Sequence, residues 1–419
     1  MNSPGLSRRD CWLLVSGGAV VCLSMLVLIC RPWDLENAFM IGAPIGRDFS
    51  NFWLAARLAI EGKLDLLVDV VGYNDLLLSR VFHHVPDDWL VFSYPPHILP
   101  FLVPFGALPF GPAVVLWTLA NLWLMACAVR LLSAERALPW AACLSPAAFM
   151  MVAFGHFGGA LAYLATYALA RGDRRPAAAG GCLALVSVKP QLAVSLALFL
   201  ILVGRWRVVL WSVPATAGLV GLSVLAFGIK PWLNFFDWTV PLHVRIFANL
   251  SVDAFWMMSV YTAAIIGGLP RWAAWGLQLP FSMVVMGTAI LLFIRKGSNP
   301  RTVALGLFAA VAALPYSAIY DLAIVTPALT VALFADPAGE DRPFLPHGLA
   351  AALWLAPSFA IVLGLAGFPL VPAIIAATLL VALYGQCRPR VARLDAPGVP
   401  YPAGGRKFSM DALSRNTGS

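Results

Sequence analysis

Apolar runs follow one another along most of this chain, and nearly every charge lies in the segments between them or in the tail. A run of about 20 apolar residues matches the hydrocarbon core of a bilayer. Composition agrees: 61% of the 419 residues are hydrophobic and 11% are charged, with a mean hydropathy of +0.83, whereas a soluble domain is about 25% charged. The chain is therefore read as an all-α polytopic membrane protein, a bundle of about twelve transmembrane helices.

The expected spans are roughly 11–30, 111–132, 138–154, 158–170, 176–189, 191–204, 208–228, 272–294, 302–318, 321–335, 347–365 and 369–386. Several fall short of the roughly 20 residues that a straight span needs, so they are expected to extend into their turns or to sit where protein thins the bilayer. Charge tests the assignment. Arg130 and Arg136, Arg171, Arg174 and Arg175, Arg205 and Arg207, Arg295, Lys296 and Arg301 all fall in loops on one side, with Arg8, Arg9, Arg342 and the arginines of the tail. Such an excess marks the cytoplasmic side, which puts both termini there. The net charge of +8 thus reflects topology, and no nucleic-acid partner is expected. Segment 254–269 is apolar enough to span, but counting it would move Arg295 and Lys296 outside. It is read as a re-entrant or interfacial helix.

One transmembrane domain is expected over 1–386, with long outer loops at 31–110 and 229–271, followed by a cytoplasmic, disordered tail at 387–419. Arg8 and Arg9 ahead of Cys11–Cys30, with no A-x-A site after it, read as a retained first span. The seven cysteines show no CxxC and no Cys/His spacing, so neither a zinc site nor a disulfide framework is supported. No metal and no cofactor is expected. Neither a repeat nor the inverted symmetry of many transporters is visible.

The first outer loop contains GRDFSNFWLAARLAIEGK, Gly46 to Lys63. Phe49, Phe52, Trp53, Ala56 and Ala59/Ile60 fall at helical spacing and make one apolar face, with Asn51, Arg57 and Glu61 elsewhere. Such a helix is expected to lie on the membrane surface with its aromatics in the headgroup layer. Asp48 precedes Phe49, where an N-cap belongs. It reads either as a helix cap or as a catalytic base at the membrane–water boundary, and both can hold, since a helix N-terminus favours a carboxylate. Next comes FSYPPHILPFLVPFGALPFGP, with Pro95, Pro96, Pro100, Pro104 and Pro109 close together. No straight span tolerates that density, and broken backbone at membrane depth survives only where protein or a cavity covers it. Tyr94, Pro95 and Pro96 are therefore expected to line a groove suited to a lipid tail.

Ionisable residues within membrane segments are functional candidates. Here the middles of the spans are nearly empty of them, and the unusual polar residues gather at the outer face instead: Asp48, His97, His156, Lys189, Gln191, His243, Arg245, Asn249, Tyr320 and Asp321. Lys189 reads as a snorkelling lysine or as a phosphate contact. His243 and Arg245 read as a headgroup-binding loop or as donor ligands. Tyr320–Asp321 opens a span from outside, where the acid reads as a cap or as a site residue. An acid, several cations and a lipid groove on the outer side suit a transferase whose sugar donor is carried on a lipid phosphate. Lys, Arg or His would stabilise the leaving phosphate. A carboxylate would take the acceptor's proton, and the sugar carbon would pass through an oxocarbenium-like state. One carboxylate opposite the phosphate gives a single inverting displacement.

The ordered set GRDFSNFWLAARLAIEGK, YPPHILPFLVPFGALPF, VVLWTLANL, KPQLAVSLALFLILVGRWR, IFANLSVDAF and ALPYSAIYDLAIV resembles glycosyltransferase family 87 over about residues 40–335. These are polyprenyl-phosphate-dependent transferases of the GT-C class. The resemblance implies a GT-C-type bundle with interfacial helices on the first outer loop, Asp48 as catalytic base, and a polyprenyl-phosphate sugar donor, most often mannose. It implies a lipid or glycan acceptor, membrane lipids as surroundings, and a site facing the periplasm or exterior of the inner (plasma) membrane. Lys189, Tyr320 and Asp321 fall on motif positions facing donor phosphate or sugar, whereas Arg245, His243 and His97 are carried by location. Two departures stand out. LLVDVVGY replaces the family's usual Leu-Tyr-Asp step, and Ser317, Ala318 and Ile319 stand where some members have a histidine. The alternative class is a transporter or flippase of a lipid-linked sugar, which would place polar residues near the bilayer midplane.

Overall fold

A computed structural model describes residues 15–20, 39–40, 43–44, 46–81, 90–249, 257–334, 352 and 354–358. Most of the expected spans 11–30 and 347–365, all of 369–386, and the tail at 387–419 lie outside the described residues. What is described is helical, apart from a minimal antiparallel hairpin of β1 (Phe39–Met40) and β2 (Ala43–Pro44).

Among the described residues, three helices are long and apolar enough to cross a bilayer: α4 (Phe110–Leu132), α10 (Trp206–Phe227) and α14 (Arg271–Lys296). The elements that precede α4 are α1 (Arg47–Ile60), α2 (Val70–Arg80) and α3 (Leu99–Gly106). Between α4 and α10 lie α5 (Leu138–Cys143), α6 (Pro146–Phe154), α7 (Gly158–Arg171), α8 (Pro176–Val186) and α9 (Pro190–Leu202). After α10 come α11 (Lys230–Asn234), a π-helical stretch, α12 (Val240–Ala248) and α13 (Val260–Ile266). Helices α15 (Pro300–Ala312) and α16 (Leu322–Phe334) follow α14.

The short expected spans do not extend into their turns. Helices α6, α7, α8, α9, α15 and α16 have 9, 14, 11, 13, 13 and 13 residues. At 1.5 Å per residue they reach about 14–21 Å, well under a hydrocarbon core of about 30 Å. They form three hairpins, α6–α7, α8–α9 and α15–α16. The expected span 138–154 is itself two helices, because Ser145 caps Ala148 N ahead of Pro146 and restarts the chain. At 7 residues α13 is too short to span, in keeping with the reading of 254–269 as a non-crossing helix.

The basic ends of these helices meet on one surface. Arg171 Nη2 donates to Leu131 O at 3.3 Å, Arg205 bonds Leu169 O and pairs with Asp173, and Ser298 Oγ donates to Leu169 O at 3.2 Å. The hairpin turns at 155–157, 187–189 and 313–321 therefore lie at the opposite end, partway along the long helices. Trp117 Nε1, seven residues into α4, donates to Gly155 O at 2.9 Å, a depth of roughly 10 Å below the start of α4. Close helix approach depends on glycine here: a Cβ on Gly159 would come 2.0 Å from Asn121 O.

Helix α1 does not float in a headgroup layer as its spacing suggested. Residues 49–56 and Leu58 are all buried. Phe49 and Phe52 pack with Trp117, Phe105, Phe110 and Phe157 at ring separations of 5.3–6.5 Å. The aromatic face meets protein, and Ile60 alone among the named face residues is exposed. Trp53 Nε1 donates to Leu108 O at 2.9 Å and Arg57 Nη1 to Gly106 O at 3.2 Å, which clamps α1 onto α3. Tyr73 Oη donates to Asn51 Oδ1 at 2.9 Å and ties α2 to the same helix.

Candidate active site

The start of α1 is fixed by glycine. Gly46 has φ 74°, and its N–H donates to Ala153 O at 2.7 Å. Gly155, at φ 72°, brings the end of α6 so close that a Cβ there would lie 2.6 Å from Phe49 Cβ. Gly46, not Asp48, is the N-cap, and Asp48 is the second residue of the helix with no capping bond from its side chain. The expectation of Asp48 as a cap is thus corrected. The first turn still surrounds it with N–H dipoles that favour negative charge.

Asp48 is nearly buried: its side chain is 13% exposed, and Oδ2 has no hydrogen-bond partner among the described residues. Arg47 Nη1 lies 4.0 Å from Oδ1. Burial pushes the carboxyl up to about 6, partly offset by the charges of Arg47 and Lys189 and reinforced by Asp321. That value suits a group that must hold and release a proton near neutral pH.

Lys189 and Asp321 complete the charged centre. Lys189 follows the last turn of α8 and immediately precedes Pro190, and it is 7% exposed. Its Nζ donates to Asp321 Oδ1, and Asp321 Oδ2 accepts from Ala318 N at 3.0 Å. Both acid oxygens are therefore engaged. The Lys189 ammonium lies 5.6 Å from the Tyr320 ring centroid. Tyr94, Tyr316 and Tyr320 line the same space. Burial, with the charges of Asp48 and Asp321, holds their phenols protonated.

His156 lies in the α6–α7 turn and is 1% exposed. Its ring stacks on Phe157 at 4.4 Å and on Tyr320 at 4.3 Å. Burial first, then the charge of Lys189, holds it neutral.

The structure thus brings together Asp48, Lys189, Tyr320, Asp321 and Tyr94 from four separate stretches of chain. Pro95 and Pro96 are buried beside them, ahead of a single 3-10 turn, Pro96–Ile98. Tyr94 packs on Phe52 and Phe157 at 5.0 and 5.4 Å. His97 points elsewhere: its Nε2 is 3.0 Å from Ser187 Oγ, and its ring stacks on Trp232. Burial holds it near 4 and neutral. His243 and Arg245 are not joined to the centre by any described contact. Arg245 is exposed on α12, and His243 is half-buried, which favours its neutral form. Their helix approaches the site through Phe247, whose ring is 6.1 Å from that of Tyr316. Sequence reasoning missed Arg47 and Tyr316. Tyr316 carried a usable signal, four residues before Tyr320 in the same motif.

The model of glycosyltransferase family 87 matches residues 92–319, more than half of the chain. No curated protein and no solved structure matches it.

Proposed function

The chain belongs to glycosyltransferase family 87, and from that premise we propose that it moves a hexose, most readily mannose, from a polyprenyl phosphate to a hydroxyl of a lipid or glycan acceptor. The chain is a membrane glycosyltransferase. The donor, the sugar and the side of the membrane belong to the proposal, with the basic end of the bundle in the cytoplasm and the site on the outer side of the inner membrane.

The observation that carries the reading is the juxtaposition of Asp48 with Lys189. Asp48 lies ahead of the family-matched residues, yet it is buried near enough to Lys189 for that charge to lower its carboxyl against the rise from burial. In the proposed step the acceptor oxygen attacks the anomeric carbon while the bond from that carbon to the phosphate oxygen breaks. The bonding pair leaves with the phosphate, and the hydroxyl proton goes to Asp48 Oδ2. Lys189 has three N–H donors, one of which holds Asp321, and the others would meet the phosphate charge as it develops. Asp321 is the second carboxylate whose charge acts on Asp48, and with Oδ1 on Lys189 and Oδ2 on Ala318 N it serves poorly as a nucleophile. That favours one inverting displacement over a two-step route. Tyr94 and the buried prolines after it would wall the donor's path.

The test is sugar transfer by purified protein in lipid, from a panel of radiolabelled polyprenyl-phosphate sugars to native lipid extract, for wild type and Asp48→Asn. Transfer by wild type that falls about 10²–10⁴-fold in a folded variant is the expected result. Undiminished transfer by the variant would remove Asp48 from the chemistry.

A further inference from the structure

Most polar groups buried in this bundle have partners, but His156 has none: both Nδ1 and Nε2 are shielded from solvent and lack a hydrogen bond among the described residues. Leaving a buried imidazole edge unsatisfied costs about as much as losing a hydrogen bond, so a partner that arrives with a ligand is the economical account. The ring cannot be approached from above or below, because Phe157 and Tyr320 stack on its two faces. Only its edge remains. A neutral imidazole edge offers one N–H donor and one lone pair. A phosphate group only accepts, so it can satisfy one nitrogen at most. A sugar hydroxyl also bonds one nitrogen at a time, but it can serve either, accepting from the N–H or donating to the lone pair. Tyr320 adjoins Asp321, and Lys189 acts on both His156 and Asp48, so the edge belongs to the same centre.

We propose that His156 hydrogen-bonds a hydroxyl of the transferred sugar and determines which sugar the enzyme accepts. This rests on the transferase reading above. It assigns a recognition role and no proton transfer to His156.

The experiment compares wild type, His156→Phe and His156→Gln with the polyprenyl-phosphate hexose that wild type transfers best and with its monodeoxy analogues. Phenylalanine keeps the aromatic stack and loses both polar atoms, whereas glutamine keeps a donor and an acceptor. The expected result is that His156→Phe raises KM for the parent donor about 10–100-fold with kcat changed much less. One deoxy donor should be handled equally by wild type and His156→Phe, and His156→Gln should stay within about tenfold of wild type for the parent. A His156→Phe variant that treats every donor as wild type does, or that loses equally with all of them, overturns the proposal. Wild type that transfers no sugar at all removes the transferase reading, and this proposal with it.

Discussion

Lys189 and Asp321, 132 residues apart in sequence, form a buried ion pair that joins the α8–α9 turn to the α15–α16 turn. A buried pair resists loss of one partner far more than loss of both, because a single removal strands an uncompensated charge. Lys189→Met and Asp321→Asn should each destabilise the protein by about 3–5 kcal/mol. The double variant should be less damaged than the sum of the two. Thermal unfolding in detergent of the four proteins gives the coupling, and strict additivity would show the pair to be structurally idle.

Asp48 is expected to trade stability for reactivity. Burial lifts its carboxyl from an ordinary value of 3.8 to about 6 in the folded protein. A raised acid contributes its full stability below the unfolded value and loses it as pH rises through the folded one, by up to about 3 kcal/mol. Asp48→Asn should therefore melt at a higher temperature than wild type at pH 7–8, and the gap should close below about pH 4. A variant less stable than wild type at every pH would contradict a carboxylate held against desolvation.

The same ionisation sets the pH dependence of transfer. A general base works only when deprotonated, so kcat/KM should fall about tenfold per unit below about pH 6 and level off above it. The limb should vanish from the residual activity of Asp48→Asn. Its persistence there would assign the titration to the donor phosphate or to another group.

Gly155 is where a small change should reach the chemistry from outside the charged centre. A methyl there would meet Phe49 Cβ at 2.6 Å on a backbone already at φ 72°, one residue from Asp48 along α1. Gly155→Ala should displace the start of α1, and a shift of about 1 Å can lower kcat about 10²-fold. Gly181→Ala, whose added Cβ meets nothing within 4 Å, is the matched control and should transfer normally.

Much of this was legible in the sequence. The long spans α4, α10 and α14 announce themselves by length and apolarity, and the arginines at their ends sort the two faces. Asp48, Lys189 and Tyr320–Asp321 were visible because each is a polar residue where an apolar run starts or stops. What periodicity could not tell was the partner of an apolar face. The stripe Phe49–Phe52–Trp53–Ala56 predicts burial equally well in lipid or in protein, and only the tertiary contacts with Trp117 and Phe157 decide for protein. Hydropathy likewise gave the hairpin spans their membrane character without their true length, because turn residues such as Val188 and Leu314 are as apolar as the helices they join. His243 and Arg245 looked equivalent to Lys189 in the sequence. They differ because α12 has no buried residue, so its side chains are not drawn into the bundle.

The half-length hairpins have a consequence for the surroundings rather than for the catalytic groups. In the proposed reaction, a floor sunk roughly 10 Å beneath the rim of α4 would let a lipid-borne phosphate meet Lys189 only by leaving its usual level among the headgroups. In a thinner sheet of lipid that descent shortens, and in a thicker one it lengthens. Bilayer thickness thereby becomes a term in the rate law, so that chain length of the host phospholipid, which touches no catalytic atom, should tune turnover as surely as a substitution in the site.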